Sequence, residues 1–255
     1  MWRLAGLVAT LFAWPALACD YPGPPPNSPE SRADAGDIRW AGYSDATDRY
    51  RHGILGDALE AGGLRVEAGT IGPCDLAVIL PEHSVFEDTG PRIVDLDGDG
   101  RNEVVVVESH RNLGAALAVY GLRGGKLTKL TATPNIGRSN RWLAPVGIAD
   151  LDGDGVIEIA YIDRPHLAKT LRVWRWEKGR LTEVAAAAGV TNHRIGERDI
   201  AGGIRDCGDG PEMIVADAGW QSVLAVQFDG STFSKRVLGP HEGRSSFADA
   251  MACRN

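Results

Sequence analysis

The sequence lacks the features that mark several common classes of protein. Only four of its 255 residues are cysteines and no Cys-x-x-Cys pair occurs, which gives no support for a zinc site or for thioredoxin-type redox chemistry. The net charge is −7, so neither nucleic acid nor an anionic membrane surface is an expected partner. The apolar run at the N-terminus has about eleven residues and is too short to cross a bilayer.

Catalytic signatures are also missing. The chain has no Gly-x-Ser-x-Gly elbow, no His-Glu-x-x-His pair and no phosphate-binding Gly-x-x-x-x-Gly-Lys loop. Helical periodicity is almost absent, and the only helix-like piece, residues 183–188, fits an edge strand equally well. A catalytic centre assembled from distant loops would leave no such motif, so these absences lower the expectation of an enzyme without removing it.

What the chain does contain is an acidic nine-residue segment that occurs twice, at residues 95–103 and 150–158. Each copy begins Asp-Leu-Asp-Gly-Asp-Gly and places carboxylates at positions 1, 3, 5 and 9. The glycines at positions 4 and 6 let the backbone curl tightly, so that one short loop presents several oxygens to a hard cation. An acidic surface turn has a similar composition, but two nine-residue matches favour metal binding, and calcium is the expected ion.

An EF-hand shares the opening of this motif but needs a bidentate acid at position 12 and a following helix. Position 12 is Val106 or Tyr161, and both segments run into β-branched, strand-like residues. The motif resembles the calcium loops of FG-GAP repeats, also called VCBS repeats, which form the blades of integrin α-subunit propellers. The resemblance is specific for the two acidic segments and looser over residues 40–253.

This resemblance implies two calcium sites, each in a loop that joins the first two strands of a blade. The implied side-chain ligands of the first site are Asp95, Asp97, Asp99 and Glu103, with a backbone carbonyl from Arg101. Those of the second site are Asp150, Asp152, Asp154 and Glu158, with the carbonyl of Val156. Glutamate at position 9, where the family often has aspartate, is a mild departure that keeps the charge count.

The N-terminus predicts export. A short positive start, an apolar segment from Leu4 to Trp14 and an Ala-x-Ala ending indicate a secretory signal peptide over residues 1–18. We therefore expect a periplasmic or secreted protein. Cys19, directly after the cleavage site, leaves a lipoprotein as the alternative, which is less favoured because a lipobox prefers Leu where this chain has Ala16.

In an oxidising compartment the four cysteines are expected to pair, and the sequence leaves three pairings open. We prefer Cys207 with Cys253 and Cys19 with Cys74, because the segments that end in Cys207 and Cys253 look like equivalent strands of neighbouring repeats. Residues 19–37 are a proline-rich leader, expected to be an extended tether. The folded domain is then expected over residues 38–255.

The acidic segments also define a repeat along the chain. Asp95 and Asp150 are 55 residues apart, and a step of 56 more reaches Asp206, in a third copy with one carboxylate fewer and a shorter loop, which we expect to be metal-free. Similar first strands are expected at residues 53–57 and 247–252. The later strands of each unit align as well, at residues 76–79, 117–120, 171–174 and 224–227.

Short strands at regular spacing with Gly-rich turns predict an all-β fold, and four strands per unit predict a β-propeller. We expect five blades, the last of them completed by the segment around residues 38–43, with four blades as the alternative. A β-sandwich is less favoured because its strands need not repeat in sequence. The protein is expected to be a monomer.

A second set of polar residues is predicted on the face opposite the acidic loops. The fifth residue after each loop glutamate is an acid in all three units, and histidine, arginine or tryptophan residues lie near it or just before the first strands. Such groups on a rigid scaffold are typical of a ligand site, whereas as ordinary loop residues they would cap turns or pair locally. The candidates are Glu108, His110, Arg141, Trp142, Asp163, His166, His193, Arg194, Asp217 and Trp220.

These observations predict an exported, calcium-stabilised β-propeller that acts as a non-catalytic binding module for a protein or a glycan. The alternative is a propeller hydrolase or lyase that acts on an extracellular polymer through acids and histidines of the predicted ligand face. Geometry separates the two hypotheses. An acid and an imidazole within hydrogen-bonding reach in one deep pocket would favour the enzyme, and acids paired off around an open rim would favour binding.

Overall fold

The computed structural model describes residues 21–254, so the predicted signal peptide and Cys19 lie outside the described residues. The described chain is almost entirely β-structure and ends in one short helix. The strands are β1 Ser31–Arg32, β2 Ile38–Thr47, β3 Glu60–Ala68, β4 Ala77–Ile79, β5 Ser84–Phe86, β6 Arg92–Val94, β7 Glu103–His110, β8 Gly114–Arg123, β9 Lys126–Ala132, β10 Leu143–Ala149, β11 Glu158–Asp163, β12 Thr170–Glu177, β13 Arg180–Ala188, β14 Val190–Thr191, β15 Gly203–Asp206, β16 Pro211–Asp217, β17 Ser222–Phe228 and β18 Phe233–Pro240, and the helix is α1 Arg244–Met251.

The strands form three sheets that contain three similar four-stranded units. Each unit is antiparallel and follows chain order, as β6–β9, β10–β13 and β15–β18. The acidic segments connect the first two strands of each unit, where the sequence predicted them. Apart from Leu76, the predicted later strands fall within β4, β8, β12 and β17. The all-β fold and its four-stranded repeat are therefore confirmed.

The first strand of a unit is continuous in one case and broken in two. Strand β10 pairs with β11 along its whole length. In the first unit β5 and β6 both pair with β7, and in the third unit β14 and β15 both pair with β16. At the second break Gly202 has φ +81°, and a Cβ there would lie 1.9 Å from the carbonyl oxygen of Ile214. Only glycine fits this break.

The N-terminal part of the chain forms a hairpin-based sheet that joins the first unit. Strand β2 pairs with β3, β3 pairs with β4, and a single residue pair, Ala61 with Phe86, links β3 to β5. We expected residues 38–43 to complete a C-terminal blade, and this prediction is wrong because those residues belong to β2 and pair with β3.

The proline-rich segment also packs against this sheet. The carbonyl oxygens of Pro22 and Gly23 accept the backbone N–H groups of Asp45 and Ala46, at 2.9 and 3.1 Å. Strand β1, within residues 19–37, pairs with β2. The described part of the leader is therefore attached to the sheet and is not the free tether that its composition predicts.

Two of the five predicted first strands are wrong. Residues 53–57 form turns, because Gly53 and Gly56 have φ +63° and +75°, a left-handed backbone that no strand adopts. Residues 247–252 fall mostly in α1. Phe247 and Ala250, three positions apart, bury one face of that helix. The repeat therefore occurs three times within residues 21–254.

The core is formed by buried apolar side chains that pack between neighbouring sheets. Residues 104–107, which follow the first acidic segment, are all fully buried, as the β-branched run predicts. Neighbouring units approach closely at β10 and β15, where a Cβ on Gly147 would lie 2.5 Å from Cδ1 of Ile204. The close approach of these two first strands places adjacent units against each other.

The predicted Cys207–Cys253 disulfide is confirmed, with a Cα–Cα distance of 5.8 Å. It ties the third acidic segment to the end of α1. The predicted partner of Cys74, Cys19, lies outside the described residues, so that pairing stays a prediction. Within residues 21–254 no helix is long and apolar enough to cross a membrane.

Candidate metal loops and ligand face

The first acidic loop, residues 95–103, curls around its own first aspartate. The two carboxylate oxygens of Asp95 accept the backbone N–H groups of Gly98 and Gly100, at 2.8 and 2.9 Å. Oxygen donors close together are what a hard divalent cation prefers. The carboxylate oxygens that lie within 4.8 Å of one another belong to Asp95, Asp97 and Asp99.

Glu103 closes the first acidic loop from its buried side. Its side chain accepts the backbone N–H of Leu96 at 3.1 Å, and within residues 21–254 no cationic side chain pairs with it. Burial and the three loop aspartates outweigh the Leu96 hydrogen bond and raise the pKa of Glu103 to about 7. The guanidinium of Arg101 pairs with Asp99 at the exposed rim, and a metal-ligand role for its carbonyl stays a prediction.

The second acidic loop, residues 150–158, has the same backbone arrangement. Asp150 accepts the N–H groups of Gly153 and Gly155 at 2.8 and 2.9 Å, and Glu158 accepts that of Leu151 at 2.9 Å. The repeated geometry follows from the repeated sequence. The carboxylates that converge within 4.8 Å here are those of Asp150, Asp152 and Glu158.

The side chain of Arg175 places a positive charge inside the second acidic loop. Arg175, on β12 directly opposite Glu158, donates from Nε to Glu158 at 2.7 Å and from Nη2 to Asp152 at 2.5 Å. Its Nη1 lies 3.1 Å from Asp154. Burial raises the pKa of Glu158 although the Leu151 amide and Arg175 lower it. Arg175 therefore already neutralises part of this loop.

The third acidic loop, residues 206–212, is neutralised by two arginines. Glu212 lies between Arg205, at 2.9 Å, and Arg236, at 2.7 Å. Burial alone would raise the pKa of Glu212, but the two guanidinium groups outweigh it and lower the pKa. Over residues 21–254, the carboxylate groups with metal-like spacing are those of the first two loops. The donor chemistry thus fits calcium best in the first loop, and in the second with Arg175 as a competing cation.

The three acids of the predicted ligand face are each held by local partners. Glu108 accepts the hydroxyl of Tyr120 at 3.0 Å and the ammonium of Lys129 at 2.7 Å. Asp217 accepts backbone N–H groups, and although burial raises its pKa, these hydrogen bonds outweigh burial and lower it. Asp163 is held by Arg164 and Arg172, at 2.8 to 3.0 Å.

Four of the predicted residues come together around one cavity of about 210 Å³. The rings of Trp142 and His193 are 4.9 Å apart, and Nε2 of His166 lies 3.1 Å from Nδ1 of His193. Arg141, Trp142 and His166 line the cavity. The other candidates lie elsewhere. Arg194 stacks on Trp220 at 4.2 Å, and His110 packs against His83 at 4.7 Å.

Hydrogen bonds fix which nitrogens of the paired histidines carry protons. Nε2 of His193 lies 2.8 Å from the carbonyl oxygen of Glu197, which only accepts, so this nitrogen donates. Burial lowers the pKa of His193, and burial followed by the neighbouring His193 lowers the pKa of His166 to about 4. In the neutral pair Nδ1 of His193 accepts from Nε2–H of His166, which leaves Nδ1 of His166 as a free acceptor.

A buried acid and imidazole beside this cavity were not among the predicted site residues. Nδ1 of His52, which lines the cavity, lies 2.5 Å from the fully buried carboxylate of Glu87. Ser109 donates to the other oxygen of Glu87, and Trp142 donates from Nε1 to its carbonyl at 2.8 Å. Glu87 lies in the break between β5 and β6. No sequence motif marks such a position, because His52 and Glu87 are 35 residues apart in the chain and only the folded structure brings them together.

Comparisons with known proteins identify one repeat and several distant structural likenesses. A family model described as an FG-GAP-like repeat matches residues 95–161. A search of curated proteins finds no match to the chain. Among solved structures, the exotype rhamnogalacturonan lyase YesX aligns with a TM-score of 0.46 at 17% identity, covering 88% of this chain and 50% of that chain.

Two further solved structures give similar values. The rhamnogalacturonan lyase YesW aligns with a TM-score of 0.44 at 15% identity, covering 88% of this chain and 54% of that chain. A protein from Lactobacillus plantarum aligns with a TM-score of 0.40 at 15% identity, covering 69% of this chain and 45% of that chain. The chain thus spans about half the length of these three structures, and TM-scores below 0.5 define neither a shared fold nor a shared function.

Proposed function

The chain carries an FG-GAP-like repeat at residues 95–161, and we propose on this premise that it is an exported, calcium-stabilised β-propeller acting as a non-catalytic binding module. The observation that carries the binding function is that Glu108, Asp163 and Asp217 are each held by local partners. Acids held in this way have no free role in proton transfer. The Cys207–Cys253 disulfide supports an oxidising compartment.

The propeller would have four blades, with the sheet of β1–β4 beside the three repeated units. A hydrogen bond from the N–H of Gly196 to the carbonyl of Ile54, at 2.9 Å, joins the loop before β3 to the break in the third unit. This contact supports closure of the ring between the N-terminal sheet and the last unit. Four was the alternative to five blades, and the loss of two predicted first strands favours it.

The ligand site of this module would be the cavity lined by His52, Trp142 and His166. Free imidazole nitrogens accept hydrogen bonds from hydroxyl groups, and Arg141 and Arg164 at the same cavity supply donors. The Trp142 ring provides an apolar wall. A ligand rich in hydroxyl groups, such as the end of a glycan chain, matches this combination better than a peptide does.

Glycan-array binding of the protein in saturating calcium tests this proposal. We expect His166→Ala to weaken binding of a captured glycan about tenfold, the effect of losing one good hydrogen bond. His110→Ala is the matched control, because His110 lies in another cluster against His83. Equal binding by His166→Ala and the wild-type protein would contradict the proposed site.

A hydrolase or lyase remains the second candidate because of the His52–Glu87 pair. Its 2.5 Å contact beside a cavity is the geometry that would let His52 act as a general base. Incubation with acidic and neutral polysaccharides, followed by detection of new reducing ends or unsaturated products, tests this candidate. Turnover that is lost in His52→Ala would replace the binding function with an enzymatic one.

A further inference from the structure

A second cavity, of about 340 Å³, lies where the leader, β2, the loop before β3 and the end of β5 meet. It is separate from the metal loops and shares no lining residue with the cavity of His52 and His166. Its walls combine apolar groups, three acids and one basic side chain, Arg198. They include Pro25, Tyr43, Leu55, Asp57, Glu60 and Phe86.

The most informative wall residue is Glu60. Its side chain is only 4% exposed, yet within residues 21–254 no hydrogen bond or ion pair satisfies its carboxyl group. A buried acid without a partner is rare, because burial penalises the charge and leaves the oxygens unsatisfied. On the same cavity wall, Oδ1 of Asp57 is buried and has no hydrogen-bond partner.

Two neighbouring acids show what satisfied carboxylates look like in this region. Asp88 accepts from Arg92, from the hydroxyl of Tyr43 at 3.0 Å and from the backbone N–H of Val107 at 2.7 Å. Glu87 is held by His52 and Ser109. Glu60 therefore stands out as an acid without a partner among the described residues, whereas the charge of Arg198 acts on Asp57 and opposes the rise that burial causes in its pKa.

We propose that this cavity binds a primary organic ammonium group, with Glu60 as its anionic partner, Asp57 beside Arg198 as a second acceptor, and Tyr43 and Phe86 as the wall for its apolar body. An ammonium donates three hydrogen bonds, so one bound at Glu60 can also donate to a neighbouring acceptor. Tyr43 and Phe86 stack at 5.3 Å and extend the wall with aromatic rings, which favour cations.

A bare divalent ion fits this cavity less well. Asp57, Glu60 and Asp88 are not among the carboxylate groups of residues 21–254 whose oxygens converge within 4.8 Å. Burial and then the neighbouring Glu87, Asp57 and Asp88 raise the pKa of Glu60 to about 9, so the free cavity holds a neutral carboxyl. A bound ammonium would replace that proton as the neutralising group.

Isothermal titration with 2-phenylethylamine, in saturating calcium, tests the proposal. The neutral analogue 2-phenylethanol has the same aromatic body and serves as the ligand control. We expect the amine to bind and to raise the melting temperature, and the alcohol to do neither. Equal responses to both compounds, or no response to the amine, would overturn the proposal without need of any variant.

Glu60→Gln keeps the shape of the side chain and removes its charge. We expect it to weaken amine binding about 10- to 100-fold, the usual effect of losing a hydrogen bond to a charged group. Glu82→Gln, at an exposed position outside the cavity, is the matched control. A purely structural acid would instead lower basal stability when replaced, whereas an incomplete buried acid should leave basal stability unchanged or raise it.

Amine binding at this cavity can be distinguished from glycan binding at the cavity of His52 and His166. His166→Ala should keep full amine binding, because His166 does not line this cavity. Loss of amine binding in both His166→Ala and Glu60→Gln would contradict a separate ammonium site. Undiminished amine binding by Glu60→Gln would show that the amine binds elsewhere.

Discussion

The first and second acidic loops share a backbone and differ in one cross-strand residue. In the second loop Arg175 lies opposite Glu158 and contacts three loop carboxylates. In the first loop Val104 lies opposite Tyr120, so the same register places Gly121 opposite Glu103. A Cβ on Gly121 would be 3.7 Å from Glu103 Oε1. The first loop thus has a glycine where the second has a cation.

The third acidic loop continues this series. Its glutamate, Glu212, has two arginine partners. The shift in the pKa of the last glutamate of each loop therefore changes direction along the three loops. The pKa is raised to about 7 for Glu103, raised for Glu158 and lowered for Glu212. The motif supplies the carboxylates, while residues on neighbouring strands decide how many of them the protein itself neutralises.

Calcium removal should give the largest effect. If calcium binds only the folded protein, saturation at 100 times the dissociation constant stabilises it by about 2.7 kcal/mol per site. Chelation should then lower the melting temperature of the wild-type protein by about 5–10 °C per occupied site. Melting curves with calcium and with chelator measure this, and an unchanged transition would remove the proposed role of calcium.

Substitutions in the acidic loops should show which loop causes the change in melting temperature on chelation. Asp97→Ala together with Asp152→Ala should abolish most of it, because each removes a carboxylate from one converging group. Asp209→Ala is the matched control, since the third loop has no such group within the described chain. A large loss of response in Asp209→Ala would show that the third loop binds calcium after all.

Removing the disulfide should have the second-largest effect, and it should not depend on calcium. The bridge between Cys207 and Cys253 closes a sequence separation of 46 residues. Constraint of an unfolded chain over such a separation corresponds to about 4 kcal/mol. We expect Cys207→Ser with Cys253→Ser to lose about this amount in denaturant unfolding. A loss that grows or shrinks with calcium would show that the third loop is coupled to the metal loops.

Replacing Arg175 should distinguish the calcium dependence of the second loop from that of the first. Arg175→Met keeps the length of the stem and removes the charge from three carboxylates. Without calcium we expect a loss of about 3 kcal/mol, as for one partner removed from a buried ion pair. With calcium the loss should shrink, because the ion can take the place of the guanidinium.

Arg172→Met is the matched control for that experiment. Arg172 lies on the same strand and pairs with Asp163 and Glu183, away from the acidic loops. Its replacement should lower stability equally with and without calcium. If Arg175→Met shows the same calcium-independent loss, Arg175 is a structural ion pair and does not compete with a metal.

Sequence reasoning succeeded where a local pattern controls the outcome. Nine contiguous residues determine each acidic loop, so Asp95 and Asp150 take the same hydrogen bonds in both copies. The strands that follow, such as residues 104–107, are buried as their β-branched side chains predict. The Cys207–Cys253 bridge was predicted from similar flanking segments and is present.

Sequence reasoning failed where contacts between residues far apart in the chain determine the structure. The first strand expected at 247–252 is helical because Phe247 and Ala250 pack on the third unit, a contact that no local pattern specifies. The predicted ligand face likewise separates into clusters, and Glu87 joins one of them through a contact with His52, 35 residues away in the chain. Arg175 and Gly121 also escape sequence reasoning, because cross-strand register gives them their roles.

The smallest and most specific effect should come from giving the first loop the cation of the second. In Gly121→Arg the new side chain starts beside Glu103. Burial and the loop aspartates raise the pKa of this acid, and no cationic side chain of the described chain pairs with it. The new Cβ would meet Cδ1 of Leu130 at 2.9 Å, so that flexible side chain must move. We expect a net gain of about 1 kcal/mol without calcium, the usual size of one partly buried hydrogen-bonded pair.

The same substitution should make the first loop less dependent on calcium, because an internal cation then competes with the ion as Arg175 does in the second loop. Gly121→Ala is the matched control, since it introduces the same Cβ and the same contact with Leu130 but no charge. Calcium titrations followed by melting temperature compare the two variants. A smaller calcium response in Gly121→Arg than in Gly121→Ala would mean that one cross-strand residue sets the metal requirement of a loop. Equal responses would mean that the two loops differ for another reason and that Arg175 is incidental to metal binding.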